Sequence, residues 1–141
     1  MIAILITLGL VFNLSHAIAQ GKIEITIKSV TSDRGKVYIN LFSNELGFPG
    51  DWSKVYQQKI FDAKKGDLRV SFDDIPFGTY AISIGHDENG NGEIDSNFIG
   101  FPKEPVGVTN QDGFGKPSFR RSKFKLSEAI KEQNFEIRFL N

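Results

Sequence analysis

The chain repeatedly alternates apolar and polar residues at every second position, and this pattern constrains its fold more than any other feature. The alternating segments are residues 22–28, 36–42, 67–73, 79–84, 122–126 and 134–139. A strand with one apolar and one polar face suits an antiparallel sheet with one solvated side, whereas strands of a parallel α/β sheet are continuously apolar. The sequence therefore predicts an all-β fold, a single antiparallel β-sandwich with one long Gly/Pro-rich loop.

The connections between these segments carry further predictions. The polar turn ending at Gly35 separates the first two alternating segments, and this arrangement is typical of a β-hairpin. Residues 47–55 are irregular and predict a short helical turn. Residues 85–117 are rich in glycine and proline, and a loop of that length in a compact domain is usually functional or poorly ordered. We interpret this loop as functional because it contains an acidic motif.

The first nineteen residues have the features of a secretory signal peptide. They carry no charged side chain, and the apolar run over residues 2–14 is shorter than the roughly 20 residues that span a bilayer. The run is followed by Ala17-Ile18-Ala19, the small-residue pattern of a signal-peptidase site. We therefore expect a signal peptide over residues 1–19, cleaved before Gln20, and a β-sandwich domain over residues 20–141. The alternative is an uncleaved membrane anchor.

Composition excludes several classes of function. The chain has no cysteine, which removes a lipoprotein anchor, thiolate zinc sites and thiol catalysis. A domain of this length builds its own core and needs no disulfides. Lys plus Arg and Asp plus Glu both number 17, so no net positive field attracts nucleic acid.

Residues 87–95 have the spacing of a calcium-binding loop. Asp87, Asn89 and Asn91 alternate, Gly92 follows, and Asp95 ends the run. Carboxylate and amide oxygens at alternate positions converge on one point, and a glycine permits the sharp turn. The predicted calcium ligands are the side chains of Asp87, Asn89, Asn91 and Asp95 and the backbone carbonyl of Glu93.

The loop departs from an EF-hand at its end. The twelfth position, where an EF-hand has a bidentate glutamate, is Phe98, and no amphipathic helices flank the loop. A missing ligand would come from elsewhere, for example from Glu104 or Asp74. The second interpretation is a structural Asx turn, in which Asp and Asn side chains cap the backbone without any metal. Both interpretations stay open.

Two other functions rest on particular side chains. His86 beside Asp87 is the pair that a small hydrolase would use, although the chain offers no Gly-x-Ser-x-Gly elbow or cysteine to complete it. Aromatic side chains in loops stack on sugar rings, which makes a carbohydrate-binding module the other alternative. The aromatic residues concerned are Trp52, Phe101, Phe114 and Phe119. For these loop aromatics the sequence favours packing against the core, because thirteen phenylalanines require burial.

Five short motifs resemble one bacterial family, that of domain of unknown function 2141. They are Gly47-Phe48, Pro76-x-Gly78-x-Tyr80-Ala81, His86-Asp87-x-Asn89-x-Asn91-Gly92-x-x-Asp95, Gly100-x-Pro102-x-Glu104 and Gly115-x-Pro117-Ser118-Phe119. The resemblance covers residues 22–141 and implies a secreted or periplasmic bacterial protein, with no established activity. The Pro-x-Gly-x-Tyr turn also resembles prealbumin-like sandwiches, which favours an immunoglobulin-like or prealbumin-like arrangement of strands.

Together these features predict an exported bacterial binding or accessory module of unknown ligand that is not an enzyme. We expect it in the periplasm or outside the cell, with calcium as the one candidate cofactor. Its expected partner is an extracytoplasmic ligand or protein. Nucleic acid is not expected, nor is a stable membrane span once the signal is cleaved.

Overall fold

A computed structural model describes residues 18–111 and 115–140. The signal-peptide prediction up to Ala17, and the aromatic candidate Phe114, lie outside these residues. The described chain is mostly strand. Its elements are β1 (Gln20–Val30), β2 (Lys36–Phe42), a 3₁₀ helix (Trp52–Lys54), β3 (Gln57–Asp62), β4 (Gly66–Pro76), β5 (Gly78–Asp87), β6 (Val106–Val108), α1 (Phe119–Ser122), β7 (Phe124–Leu126) and β8 (Glu132–Arg138).

Two sheets face each other. The first has the order β4-β1-β8, and the second has the order β3-β2-β5-β6 with β7 also paired to β5. Antiparallel pairing dominates, while β1 and β8 run parallel. The predicted all-β sandwich is confirmed, and the 3₁₀ helix lies in the segment where a helical turn was predicted.

The predicted hairpin between the first two alternating segments is wrong. In the part of the chain that the structure describes, β1 pairs with β4 and β8, whereas β2 pairs with β3 and β5. Alternation determines which face of a strand is buried, but it does not determine the neighbour that the strand pairs with. The five residues 31–35 therefore carry the chain from one sheet to the other, a distance of about 10 Å.

The core lies between the two sheets. It is built from the inward faces of the alternating strands, whose side chains are almost completely buried. These are Ile23, Ile25 and Ile27 of β1, Val37, Ile39 and Leu41 of β2, Val70 and Phe72 of β4, and Ile82 and Ile84 of β5. Burying each side chain of this size contributes about 1.5–3 kcal/mol, so these faces supply the main stabilisation of the sandwich.

The outer face of the second sheet is covered as well. The segment between β2 and β3 folds over it, and Trp52 stacks on Tyr38 with ring centroids 4.5 Å apart. Phe48 packs edge-on against Phe42 at 5.2 Å, and Phe119 of α1 packs against Phe48 at 5.9 Å. Two of the four loop aromatics considered as sugar-binding residues, Trp52 and Phe119, are therefore part of this covering layer.

The turn between β4 and β5 has an architectural role. The hydroxyl of Tyr80 donates a hydrogen bond to the carbonyl of Pro76 at 2.8 Å, and the ring of Tyr80 is buried in the core. This contact fixes the start of β5. The far end of the same strand carries the acidic loop.

Candidate functional site

The acidic loop spans residues 87–105, starting at the last residue of β5, and is closed at its base. The N–H of His86 donates to the carbonyl of Pro105 at 2.9 Å, and β6 begins at the next residue. On the other side Gly35 approaches so closely that a Cβ placed on it would lie 1.8 Å from the carbonyl oxygen of Asp87. Because Gly35 has a φ of +71°, glycine suits this turn for both reasons.

Asp87 is the central residue of the loop. Its side chain is fully buried, and its carboxylate accepts three backbone hydrogen bonds. Oδ1 accepts from the N–H groups of Gly90 at 2.9 Å and Asn91 at 3.2 Å, and Oδ2 accepts from Gly92 at 2.8 Å. The negative charge is thus compensated by N–H dipoles, as in an Asx turn.

A second set of contacts joins three side chains of the loop, those of Asn89, Asn91 and Asp95. The side-chain nitrogens of Asn89 and Asn91 donate to the two oxygens of the Asp95 carboxylate, at 2.5 and 2.9 Å. The amide oxygens point the other way: Asn89 Oδ1 accepts from the N–H of Asn91, and Asn91 Oδ1 accepts from the N–H of Glu93, both at 3.1 Å. The structure therefore brings together three of the four side chains that the spacing singled out, while the fourth, Asp87, is bonded to the backbone of the loop.

Glu104 belongs to the same site. Its buried carboxylate accepts from the N–H groups of Glu88 at 2.9 Å, Asn89 at 3.3 Å and Asp95 at 3.0 Å. The N–H of Lys103 in turn donates to the carbonyl of Asp95 at 2.7 Å. Glu104 is thus a second carboxylate that organises the loop backbone, and it comes from the far side of the loop.

The remaining sequence candidates lie elsewhere or have other contacts. Asp74 lies two residues before the end of β4, and the ten residues of β5, about 30 Å of strand, separate that turn from the loop. The side chain of Glu93 is exposed. Phe98, at the position that closes an EF-hand, is 98% exposed and offers no oxygen.

The loop concentrates negative charge. Five carboxylates lie between residues 87 and 104, against the single cation Lys103. Glu88 is held by the hydroxyl of Ser32 at 3.0 Å and faces the guanidinium of Arg34 at 3.8 Å. Within residues 18–111 and 115–140, no three His, Cys, Asp or Glu side chains come together as a metal-binding group. A cation at this loop would depend on the amide oxygens of the two asparagines.

His86 does not face solvent. It is fully buried, its ring lies 6.1 Å from that of Phe139, and Nε2 lies 2.8 Å from the carbonyl oxygen of Arg34. Since a carbonyl only accepts, Nε2 carries the proton; Nδ1 has no hydrogen-bond partner among the described residues. A hydrolase would need an accessible imidazole, and this one faces the core.

Three exposed apolar side chains extend from the same loop, and of these only Phe101 was among the loop aromatics singled out from the sequence. Phe98 is 98% exposed, Ile99 62% and Phe101 64%. The expectation that Phe101 packs against the core is therefore wrong, whereas Phe119 does pack against Phe48. We call Phe98, Ile99 and Phe101 the apolar tip. The turn residues around them, Asn97, Gly100 and Pro102, were the signal that this segment leaves the core.

Comparison with known proteins gives one match. A family model described as "Uncharacterized protein conserved in bacteria (DUF2141)" matches residues 25–134, which extend from β1 into β8 and contain the whole loop. No curated protein and no solved structure matches the chain. In the described part of the chain, no helix has the length and apolar character needed to cross a membrane.

Proposed function

The chain belongs to the DUF2141 family of uncharacterized bacterial proteins, and we propose that it is an exported, non-enzymatic β-sandwich module whose acidic loop binds calcium. The loop is the part of the molecule that combines exposed oxygen-bearing side chains with a rigid backbone. The ligand or partner that the module serves lies outside the cytoplasm.

One observation carries the calcium proposal: both asparagine amides converge on the Asp95 carboxylate. Each amide places an N–H where a cation would neutralise that carboxylate. Rotation about the last side-chain bond exchanges the nitrogen and oxygen of each amide. It would bring Asn89 Oδ1 and Asn91 Oδ1 to the same point, beside Asp95. Hard cations such as calcium take carboxylate and amide oxygens in this way. Asp87 and the carbonyl of Glu93 complete the proposed ligand set.

The backbone of the loop is ordered before any cation arrives. Asp87 and Glu104 together accept hydrogen bonds from six backbone N–H groups of the loop. Binding then needs only side-chain rotations, which keeps its entropic cost low. Because Phe98 stands where a bidentate glutamate would add two oxygens, we expect an affinity on the order of 10⁻⁴ M, typical of extracellular modules.

Calcium at about 1 mM should raise the stability of the mature domain by roughly 1.4 kcal/mol, from RT ln(1 + [L]/Kd) with Kd of about 10⁻⁴ M. For a domain of this size that is a melting shift of roughly 3–6 °C. Thermal melts in calcium and in chelator measure it. Asp95→Ala should abolish the shift, because it removes the exposed charged ligand.

The matched control is Asp73→Ala, which removes an exposed carboxylate from β4, away from the loop. It should leave the calcium shift intact. If the wild-type domain melts at the same temperature in millimolar calcium and in chelator, the loop is a structural Asx turn and the calcium proposal is wrong.

The export proposal predicts that the signal peptide is removed from the chain. Cleavage before Gln20 would leave the sandwich whole, because β1 begins at Gln20 and pairs there with Pro76. Mass analysis of the chain produced in a bacterial host should give a protein starting at Gln20 in the periplasm or medium. A full-length chain retained in the membrane would instead establish the anchor alternative.

A further inference from the structure

The apolar tip is an unusual surface for a soluble domain. Single exposed apolar side chains are ordinary, but Phe98, Ile99 and Phe101 lie within four consecutive residues and all extend into solvent. Contiguous exposed apolar groups of this kind mark contact surfaces. Nothing in the calcium proposal uses these side chains.

The turn that carries the tip is rigid. Asn97 Oδ1 accepts from the N–H groups of Ile99 and Phe101, both at 3.0 Å. The N–H of Asn97 donates to the carbonyl of Phe101 at 2.8 Å, and that of Gly100 donates to the carbonyl of Asn97 at 3.0 Å. Four backbone N–H groups are thus bonded within the turn, so burying the tip leaves them satisfied and orders little that is mobile.

The charge beside the tip indicates what kind of surface it fits. Glu93 and Asp95 precede it in the same loop, whose five carboxylates outnumber its single lysine. An anionic bilayer would be repelled by this flank. An apolar pocket with a basic rim is complementary to both the tip and its flank.

The chain itself has such a pocket at the turn between β3 and β4. It is a shallow depression open to solvent, with a volume of about 390 Å³, and Phe61 and Leu68 supply its apolar surface. Its two acids are neutralised from neighbouring strands: Lys36 contacts Asp62 at 2.8 Å, and Lys28 contacts Asp67. These hydrogen bonds lower the pKa of both carboxyl groups, which therefore stay ionised and paired.

With Lys28 and Lys36 counted, four lysines surround the pocket, against three acids: Asp62, Asp67 and Asp33, whose Oδ1 accepts from the N–H of Lys65 at 2.7 Å. Its own lysines are Lys64 and Lys65, which lie between β3 and β4 and are both exposed. The pocket thus offers an apolar surface with a basic rim, the counterpart of the apolar tip with its acidic flank. A Phe98 side chain inserted there would bring Glu93 and Asp95 towards these lysines.

The acidic loop, which carries the tip, and the pocket lie at the same end of the second sheet. Lys36, the first residue of β2, pairs with Asp62 of β3 on one side and with Asp87 of β5 on the other. In a twofold dimer one contact of this kind is made twice, since residues that meet across the interface do so reciprocally. We propose that two copies of the chain associate end to end, each inserting its apolar tip into the basic-rimmed pocket of the other.

Sedimentation velocity of the mature domain in chelator tests this proposal without involving calcium. We expect a dissociation constant of the dimer between about 1 and 100 μM, because interfaces of modest area can have affinities as weak as micromolar. Phe98→Ser should weaken the dimer at least tenfold. Well below the dimer's dissociation constant it should leave the melting temperature unchanged, because in the monomer this side chain contacts solvent. The control is Leu46→Ser. It removes another exposed apolar side chain, which lies beyond the opposite end of β2, and it should leave the dimer intact.

A charge exchange tests the pairing itself. Glu93→Lys alone, and Lys64→Glu with Lys65→Glu alone, should each weaken the dimer, and an equimolar mixture of the two variants should restore association. Wild-type protein that stays monomeric throughout, or a dimer that survives Phe98→Ser, would overturn the proposal. Binding of the monomer to phosphatidylcholine vesicles through Phe98 would replace it with bilayer insertion.

Discussion

Asp87→Ala should lower the free energy of unfolding by about 2–4 kcal/mol in the absence of any calcium. The carboxylate is fully buried and accepts from the N–H groups of Gly90, Asn91 and Gly92. A hydrogen bond to a charged group contributes about 1.5–3 kcal/mol. The three do not add fully, because an opened loop lets water reach the N–H groups. Urea unfolding in chelator measures the change.

The control for this loss is Asp95→Ala, also measured in chelator. Asp95 accepts from two side-chain amides that are exposed and can turn to water, so its removal should cost less than about 1 kcal/mol. If Asp87→Ala unfolds within about 0.5 kcal/mol of the wild type, the buried carboxylate is not what organises the loop.

Gly35→Ala should be at least as damaging, with an expected loss of about 2–5 kcal/mol. Its φ of +71° disfavours alanine by about 1–2 kcal/mol. The added methyl carbon would also lie 1.8 Å from the carbonyl oxygen of Asp87, so the backbone of one of the two segments must move. Overpacking of this kind costs typically 1–3 kcal/mol. Chemical denaturation of the purified variant measures the sum.

Gly90→Ala separates these two contributions. Gly90 has nearly the same φ, +73°, but a methyl group placed there meets no atom within 4 Å. It should therefore lose only the conformational part, about 1–2 kcal/mol. Equal losses for the two variants would mean that the contact between Gly35 and Asp87 relaxes without cost.

The strands that could be predicted are those whose two faces differ. The alternating segment 36–42 is β2 with the same bounds, because one of its faces packs in the core. β3 was missed: it is an edge strand whose apolar residues, Ile60 and Phe61, are adjacent and do not alternate. β6 has only three residues, too few to show an alternation of apolar and polar side chains.

Pairing could not be predicted from the same signal. The parallel partner of β1 lies near the other end of the chain, and no local pattern in residues 20–30 specifies it. The hairpin prediction failed for this reason. It assumed that neighbours in sequence are neighbours in a sheet, which a sandwich does not require.

The proximity of Asn89, Asn91 and Asp95 could be predicted from their spacing, but the hydrogen bonds that join them could not. A short turn with these intervals brings the three side chains together whatever the scaffold. Glu104 was one of two suggestions for a further acid, and tertiary structure alone separates it from Asp74. The burial of His86 extends the alternation of Ile82 and Ile84 by two residues, but the predicted strand ended at residue 84 and so did not include it.

The parallel pairing of β1 with β8 has a consequence for the order of folding. β1 is the central strand of its sheet, and its partner β8 is synthesised after all the other strands that the structure describes. The sheet therefore cannot be completed until nearly the whole domain has been synthesised, and contacts between distant segments form slowly. For a chain that we propose is exported, this delay matters, because it leaves the polypeptide unfolded and able to translocate until β8 has been made.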